Sequence, residues 1–231
     1  MEPILEIQPA EIKVAAGGVE LTADVSIPDR AAGIVIFAHG SGSGRKSPRN
    51  RRVAAVLNRG AIATILTDLL TAEEEAVDLR TAELRFDIQL LVRRLIAVTD
   101  WVCDQADLKN LGIGYFGAST GAAAALGAAA QRSETVQALI VRGGRPDLAG
   151  PALSHVLAPT LFIVGGEDAL VLQLNREAIA QLLRRTERRL EIIPGATHLF
   201  EEPGALDLAA ALARDWFQKY LKAGSTRRET I

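Results

Sequence analysis

Two kinds of hydrophobic pattern succeed one another along the chain. The first 30 residues contain two strand-like stretches, EIKVAA and VELTADVSIP, on either side of Gly17-Gly18. A two-residue Gly-Gly loop between such stretches predicts a β-hairpin.

Six short apolar runs follow the hairpin, and most of them end in glycine. They are rich in Val and Ile and lack polar alternation, as expected of strands buried on both faces. The runs are residues 33–40, 61–69, 111–117, 136–144, 158–166 and 189–195. Together with the hairpin they predict a mainly parallel sheet of about eight strands.

Helical periodicity lies between these runs. In 81–103, apolar residues at alternating steps of four and three mark one helix face: Leu84, Ile88, Leu91, Leu95, Val98 and Val102. Thr81 is the expected N-cap of this helix. A second face is expected in 205–220, formed by Leu208, Leu212, Trp216 and Tyr220. Alternating strands and helices predict an α/β fold with helices on both faces of the sheet.

The domain organisation follows from the absence of any internal repeat or linker in the sequence. One domain is expected over residues 1–231, with its core at about 10–222 and a polar, frayed tail at 223–231. The stretch from Gly143 to Pro159 is too short to hold a domain inserted between late strands, so no lid domain is expected.

Composition narrows the class of protein. Hydrophobic residues make up 48% and charged residues 23% of the chain, and the net charge is −2. This balance argues against a general affinity for nucleic acid or for an anionic membrane. No apolar stretch is long enough to span a bilayer, and the N-terminal residues do not resemble a secretory signal. The single cysteine, Cys103, allows neither an intrachain disulfide nor a multi-cysteine zinc site. A cytoplasmic protein without a metal or cofactor is expected.

The candidate nucleophile is Ser119, in the sequence Gly117-Ala118-Ser119-Thr120-Gly121. This G-x-S-x-G pattern follows a predicted strand and precedes an all-small helical segment, which is the context of a nucleophile elbow. The flanking glycines allow the strand and the helix to approach closely. The alternative is a Gly-rich turn with an incidental serine, and the context favours the nucleophile.

The candidate base is chosen from three histidines. His198 follows the carboxyl end of the last predicted strand, where a catalytic base is expected. His39 lies in the Gly-rich turn after the first strand of the alternating part and is expected to brace that turn. His155 precedes a strand and would lie at the opposite edge of the sheet.

An acidic residue must orient the base, and Asp168 follows the penultimate strand at the expected place. Glu167 is adjacent but would project differently. Asp147 follows the preceding strand and remains a competitor. The order Ser119, Asp168, His198 is that of α/β-hydrolases and differs from the orders in chymotrypsin and subtilisin.

An oxyanion formed at Ser119 would need two preorganised N–H donors. The backbone of Thr120 is expected to supply one. The turn His39-Gly40-Ser41-Gly42 is expected to supply the other, from the N–H of Ser41. A phosphate-binding loop is the alternative use of these glycines, but no Lys-Ser/Thr pair stands at Walker spacing.

Four motifs, HGSGSG, GASTG, VGGEDALV and PGATHLF, stand in an order and spacing that resembles a serine α/β-hydrolase of the dienelactone hydrolase-like group. The resemblance covers about residues 10–222. It implies an eight-stranded hydrolase sheet, no organic cofactor, and a catalytic triad of Ser119, Asp168 and His198. Dienelactone hydrolases proper carry cysteine at the elbow. The serine here therefore points to esters more generally than dienelactones.

Basic and acidic residues are segregated in the middle of the chain. Residues 41–60 carry six cations and no acid, and residues 66–90 carry seven acids. One interpretation is that the two blocks pair with each other or are solvated. The other is that Arg45 or Lys46 contacts an anionic group of the substrate, with Arg142 and Arg145 contributing from a later loop.

These observations favour hydrolysis of a small, soluble carboxylic ester or thioester through an acyl-enzyme on Ser119. Acyl transfer on the same triad is a second hypothesis, and a non-catalytic ligand-binding module is a third. The expected partner is a small-molecule ester, with no nucleic acid and no membrane, and a homodimer is left open.

Overall fold

In the computed structural model, which describes residues 8–224, an eight-stranded sheet lies between two layers of helices. The strands are β1 (Ala10–Ala16), β2 (Val19–Ser26), β3 (Gly33–Ala38), β4 (Ile62–Thr67), β5 (Gly112–Ala118), β6 (Val136–Arg142), β7 (Thr160–Gly165) and β8 (Arg188–Ile193). The helices are α1 (Pro48–Arg59), α2 (Ala72–Thr81), α3 (Ile88–Asp104), α4 (Thr120–Gln131), α5 (Ala169–Gln181) and α6 (Ala205–Tyr220). A short 3₁₀ helix spans Leu84–Phe86, and Pro146–His155 is a 3₁₀ segment that is kinked at Gly150. Most of the tail predicted at 223–231 lies outside the described residues.

The sheet order is β1-β2-β4-β3-β5-β6-β7-β8. The pairs β1–β2 and β2–β4 are antiparallel, and every other pair is parallel. The hairpin turns at Gly17 and Gly18, whose φ angles of 60° and 91° are those that a tight hairpin loop requires. The predicted eight-stranded, mainly parallel sheet is confirmed.

Helices cover both faces of the sheet, as predicted. Apolar residues of α1 and α6 pack on one face, and those of α3, α4 and α5 pack on the other. Strands β3, β4, β5 and β7 are buried along their whole length, which explains why their sequences lack polar alternation. Strand β8 is at the edge of the sheet and is only partly buried.

The helix predicted over 81–103 begins later than expected, and Thr81 is not its N-cap. Helix α3 starts at Ile88, where the side chain of Asp87 accepts a hydrogen bond from the backbone N–H of Leu90. Thr81 is instead the last residue of α2, a separate helix that begins with a capping box on Thr71. The intervening Ala82 has a left-handed conformation, which ends α2 and separates the two helices.

Helix α6 has the predicted bounds, and the predicted face is buried only in part. Trp216 is buried as expected, and Leu212 and Tyr220 pack partly buried against the same core, but Leu208 is 48% exposed. The rest of the buried face is formed by residues that the prediction left out: Ala209, Ala213 and Phe217. The small alanines let the helix lie close to the strands.

The parallel strands bring several loops to one edge of the sheet. Ala38 is in register with Gly117, and Ala118 is in register with Arg142. Because parallel strands end at the same edge, the loops after β3, β5, β6, β7 and β8 meet there. The segment after β6 forms its 3₁₀ helix beside α4 and α5, and no lid domain is inserted there.

Candidate active site

Ser119 occupies a strained turn between β5 and α4. Its φ and ψ are 51° and −123°, a conformation that costs about 1–3 kcal/mol for a residue with a side chain. Two contacts fix the turn: the N–H of Ser119 donates to the carbonyl of Arg142 at 3.3 Å, and its carbonyl accepts from the N–H of Arg145 at 2.9 Å. The helix approaches closely because a Cβ on Gly121 would lie 2.1 Å from the carbonyl oxygen of Ala38. The turn therefore has the geometry expected of a nucleophile elbow.

The structure brings His198 and Asp168 together. Nδ1 of His198 lies 2.6 Å from Oδ2 of Asp168, a short hydrogen bond of the kind that an ionised carboxylate makes. The Asp168 side chain is mostly buried, and that of His198 is 39% exposed. With Nδ1 donating to the carboxylate, Nε2 is the nitrogen left to accept a proton.

The side chain of Asp168 contacts His198 and does not cap the helix that begins beside it. It is the N-cap residue of α5, a position at which Asp commonly accepts a backbone N–H from the first turn. Its side chain makes no such capping bond. Its Oδ2 accepts from His198 instead, as a carboxylate that orients a base would.

The turn after β3 lies against the elbow. A Cβ on Gly40 would stand 2.9 Å from Cβ of Ser119, so only glycine allows this approach. The backbone N–H of Ser41 donates to Oγ1 of Thr120 at 3.0 Å, and the two hydroxyls are also 3.0 Å apart. The N–H of Thr120 is at the first position of α4, where a helix offers no internal acceptor. An oxyanion at Ser119 would have to replace the Thr120 hydroxyl as the partner of the Ser41 N–H.

Ser119 and His198 line one cavity of about 160 Å³ at this edge of the sheet. Residues of the turn after β3, of the start of α1 and of the end of β6 complete it: Gly40, Ser41, Ser43, Ser47, Arg49, Asn50, Ala118, Arg142, Gly143 and Leu199. None of these lining residues carries a carboxylate. The cavity is therefore small and positively charged.

The competing histidines and acid have other partners. Nε2 of His39 accepts from the N–H of Leu69 at 3.1 Å, and Nδ1 lies 3.0 Å from the carbonyl of Gly40. Burial lowers the pKa of His39, which matches a neutral ring that holds the turn. His155 is exposed on the 3₁₀ helix. Asp147 accepts two hydrogen bonds from Arg145, at 2.9 and 2.7 Å.

The basic segment does not meet the expectation set for Arg45. Each of its three guanidinium nitrogens contacts a different carboxylate, those of Asp24, Asp68 and Glu11. A substrate anion would have to displace one of these to reach it. Lys46 is exposed and does not line the cavity with Ser119. Only the contact with Asp68 joins the basic segment to the acidic one, so mutual pairing explains this part of the surface only partly.

The other two predicted cations have different environments. Arg145 is held by Asp147 and does not line the cavity. Arg142 does line it, next to Ser119. Sequence reasoning missed Arg49 and Asn50 at this cavity. The pair Ser47-Pro48 was the available signal, because Ser at the N-cap and Pro at the first helical position predict a helix starting here.

Comparison with known proteins places the chain in a family. The sequence profile of the dienelactone hydrolase family matches residues 22–223. The chain belongs to the dienelactone hydrolase family. A solved structure of a dienelactone hydrolase from Anabaena variabilis is 58% identical, with a TM-score of 0.91, over 94% of this chain and 100% of that one.

Two other proteins resemble this dienelactone hydrolase family member, one in sequence and one in fold. A Mycobacterium tuberculosis protein named "Putative phosphoribosyl transferase" is 54% identical over 91% of this chain, but over only 46% of its own length. The chain thus spans about half the length of these relatives. An α/β serine hydrolase without lid from Xanthomonas campestris shares the fold, with a TM-score of 0.70 and 20% identity over 94% of this chain and 97% of that one.

No helix within residues 8–224 is long and apolar enough to cross a membrane. Within the same residues, no group of three or more His, Cys, Asp or Glu side chains is arranged to hold a metal ion.

Proposed function

We propose that this chain is a serine esterase that cleaves small, soluble carboxylic esters or thioesters through an acyl-enzyme on Ser119. The observation that carries the proposal is the pairing of His198 with Asp168 at 2.6 Å beside the cavity that Ser119 also lines. Family membership supports hydrolysis, and the residues of the site supply the finer assignment.

In the acylation step, Oγ of Ser119 attacks the carbonyl carbon of the ester and gives its proton to Nε2 of His198. The negative charge on the carbonyl oxygen is stabilised by the N–H groups of Thr120 and Ser41. His198 then protonates the leaving alcohol or thiol as its bond to carbon breaks. The acyl group remains on Ser119. Asp168 holds the imidazole in the required tautomer and stabilises its protonated form.

Deacylation repeats these steps with water. His198 takes a proton from water, whose oxygen attacks the acyl carbon, and returns that proton to Oγ of Ser119 as the acyl bond breaks. The products are a carboxylic acid and the regenerated serine. The cavity volume of about 160 Å³ is below that of typical drug-sized ligand sites, which favours short acyl chains.

A fluorophosphonate probe tests the nucleophile. It should label Ser119 alone, as located by mass spectrometry of the labelled peptide. Ser119→Ala should abolish labelling and hydrolysis of p-nitrophenyl esters. The matched control is Ser154→Ala, which removes an exposed serine on the 3₁₀ helix and should change neither. Cys103→Ser should likewise leave kcat within a few fold. Labelling that persists in Ser119→Ala would refute the assignment.

A panel of p-nitrophenyl esters of rising chain length separates the remaining hypotheses. Hydrolysis that falls with chain length supports the proposal. Turnover that needs an added alcohol or amine acceptor supports acyl transfer, and absence of turnover with every ester supports a binding module.

A further inference from the structure

Arg142 is a buried cation for which the described chain provides no counter-ion. It ends β6 and is 7% exposed. Burial lowers its pKa to about 10, and the nearby charge of Arg49 acts in the same direction. Within residues 8–224, neither its Nε nor its Nη1 has a hydrogen-bond partner. The guanidinium lies over the ring of Phe200, 5.4 Å from the centroid, and this contact compensates only part of the lost hydration.

Two other arginines near the same edge of the sheet have carboxylate partners, unlike Arg142. Arg45 and Arg145, on loops near the same edge, both contact carboxylates of the chain. A guanidinium is a fork of donors that fits a carboxylate or phosphate group. Because none of residues 8–224 gives Arg142 such a group, a ligand is the natural source of one.

A second cation lines the same cavity as Arg142. Arg49 is at the second position of α1, and its ion pair with the exposed Glu201, at 3.3 Å, is of the weak surface kind. The N-terminus of α1 adds the positive end of a twelve-residue helix. The neighbouring Asn50 is 3% exposed, and its Oδ1 has no partner within the described residues. The walls of the cavity thus offer several polar groups and no carboxylate.

The position of Arg142 relative to Ser119 limits where an anion would be. Arg142 is in register with Ala118, and its carbonyl accepts from the N–H of Ser119. The backbones of the two residues are therefore in direct contact across neighbouring strands. In a cavity of about 160 Å³, an anionic group at Arg142 would be only a few bonds from a carbonyl at Ser119.

We propose that Arg142, assisted by Arg49, binds an oxyanion group, a carboxylate or a phosphate, carried by the ester that Ser119 cleaves. This inference rests on the proposed function and adds the class of substrate to it. The substrate is then a small anionic ester whose charge lies close to the scissile bond.

The kinetic experiment compares charged and neutral esters of similar size in a pH-stat. Monomethyl succinate is compared with methyl pentanoate, and 2-acetoxyethyl phosphate with 2-tert-butoxyethyl acetate, whose tert-butyl group has nearly the shape of the phosphate. Charged hydrogen bonds in a buried site should favour at least one anionic ester by about tenfold or more in kcat/KM. Arg142→Gln should remove most of this preference, and Arg49→Gln should reduce it several-fold. The matched control is Arg52→Gln, on the same helix but paired with Asp207, which should leave the preference unchanged.

A binding experiment separates the site from the chemistry. Succinate and inorganic phosphate are each titrated calorimetrically into Ser119→Ala, with and without Arg142→Gln. Binding of one anion should weaken at least fivefold when Arg142 is replaced, and the anion that binds identifies the source of the charge. Anion binding that depends on Arg142, in a protein that hydrolyses no ester, would refute the esterase and leave the anion site standing.

Two results would overturn the inference. The first is a folded Arg142→Gln protein in which charged and neutral esters lose activity in parallel. The second is a wild-type protein with no preference for either anionic ester, combined with no binding of succinate or phosphate to Ser119→Ala. The second result needs no Arg142 variant, so it decides the question even if that variant fails to fold.

Discussion

Replacing Asp168 by Asn is the sharpest test of the proposed triad. The carboxylate lies 2.6 Å from Nδ1 of His198, and its side chain is 14% exposed. Asn has nearly the same shape, so the ring can stay in place. Its amide NH₂ can, however, donate to Nδ1, which then has to be unprotonated. The proton moves to Nε2, and His198 can no longer accept the proton of Ser119.

The expected fall in kcat follows from the two functions that the Asp168 carboxylate would have in the triad. Loss of the correct tautomer and of the charge that stabilises the imidazolium lowers kcat by about 10⁴ in a comparable triad, or about 5 kcal/mol in the activation barrier. Stability should respond differently. Asp168 is the N-cap of α5 without a capping bond, and Asn is an equally good N-cap that can turn toward the helix. The free energy of unfolding should therefore stay within about 1 kcal/mol.

The assay measures kcat on a soluble p-nitrophenyl ester and urea unfolding on the same protein samples. Asp147→Asn is the control, because Asp147 also follows a late strand but accepts from Arg145. It should keep kcat within a few fold. Severe loss in Asp147→Asn together with mild loss in Asp168→Asn would show that the wrong acid was assigned. If Asp168→Asn loses activity only because the protein is unfolded, the result gives no support for a catalytic role of Asp168.

Three further predictions concern the surroundings of the site. Gly40→Ala should lower kcat by about 10² or more, because the new Cβ would stand 2.9 Å from the elbow serine and displace an oxyanion donor; unchanged kcat would contradict this. Arg45→Met should destabilise the fold by roughly 1–3 kcal/mol in urea unfolding, whereas Lys46→Met, at an exposed neighbour, should stay within about 0.5 kcal/mol. Since burial lowers the pKa of His39 below 6.5, the unfolded state takes up more protons below that pH, and stability should fall there by at most about 1.4 kcal/mol per pH unit. His39→Gln should flatten this decline below pH 6.5, as measured by urea unfolding at a series of pH values.

The sheet and the elbow could be predicted because their signals are local. A parallel strand that is buried on both faces has a run of consecutive apolar residues, which is visible in the sequence. The elbow occupies five residues, and contacts across one turn require its glycines. The placement of His198 and Asp168 followed from the rule that parallel strands end at one edge. These inferences needed no knowledge of distant side chains.

The partners of charged side chains could not be predicted in this way. Arg45 meets Asp24 and Glu11, which are 21 and 34 residues away in sequence on the hairpin strands. Arg142 was also predicted to contact an anionic group of the substrate, but it has no such partner within the described residues. Which cation is paired depends on the strand order, and the sequence pattern did not determine that order. The predicted N-cap at Thr81 was wrong because the cap signal at Thr71, ten residues upstream, starts a separate helix that ends at Thr81.

Helix α4 connects the turn at Ser119 directly to the interior of the protein. Its residues from Thr120 to Ala129 are all buried, and nearly all are Ala or Gly, so its backbone is packed directly against β5 and α3. A Cβ on Gly127 alone would meet Val92 at 2.6 Å. The amide hydrogens of this helix should thus be among the slowest to exchange with solvent, at the rate of global opening. Denaturant that leaves the molecule folded should leave the turn at Ser119 intact. If Ser119 is the proposed nucleophile, loss of turnover should coincide with the cooperative unfolding transition rather than precede it.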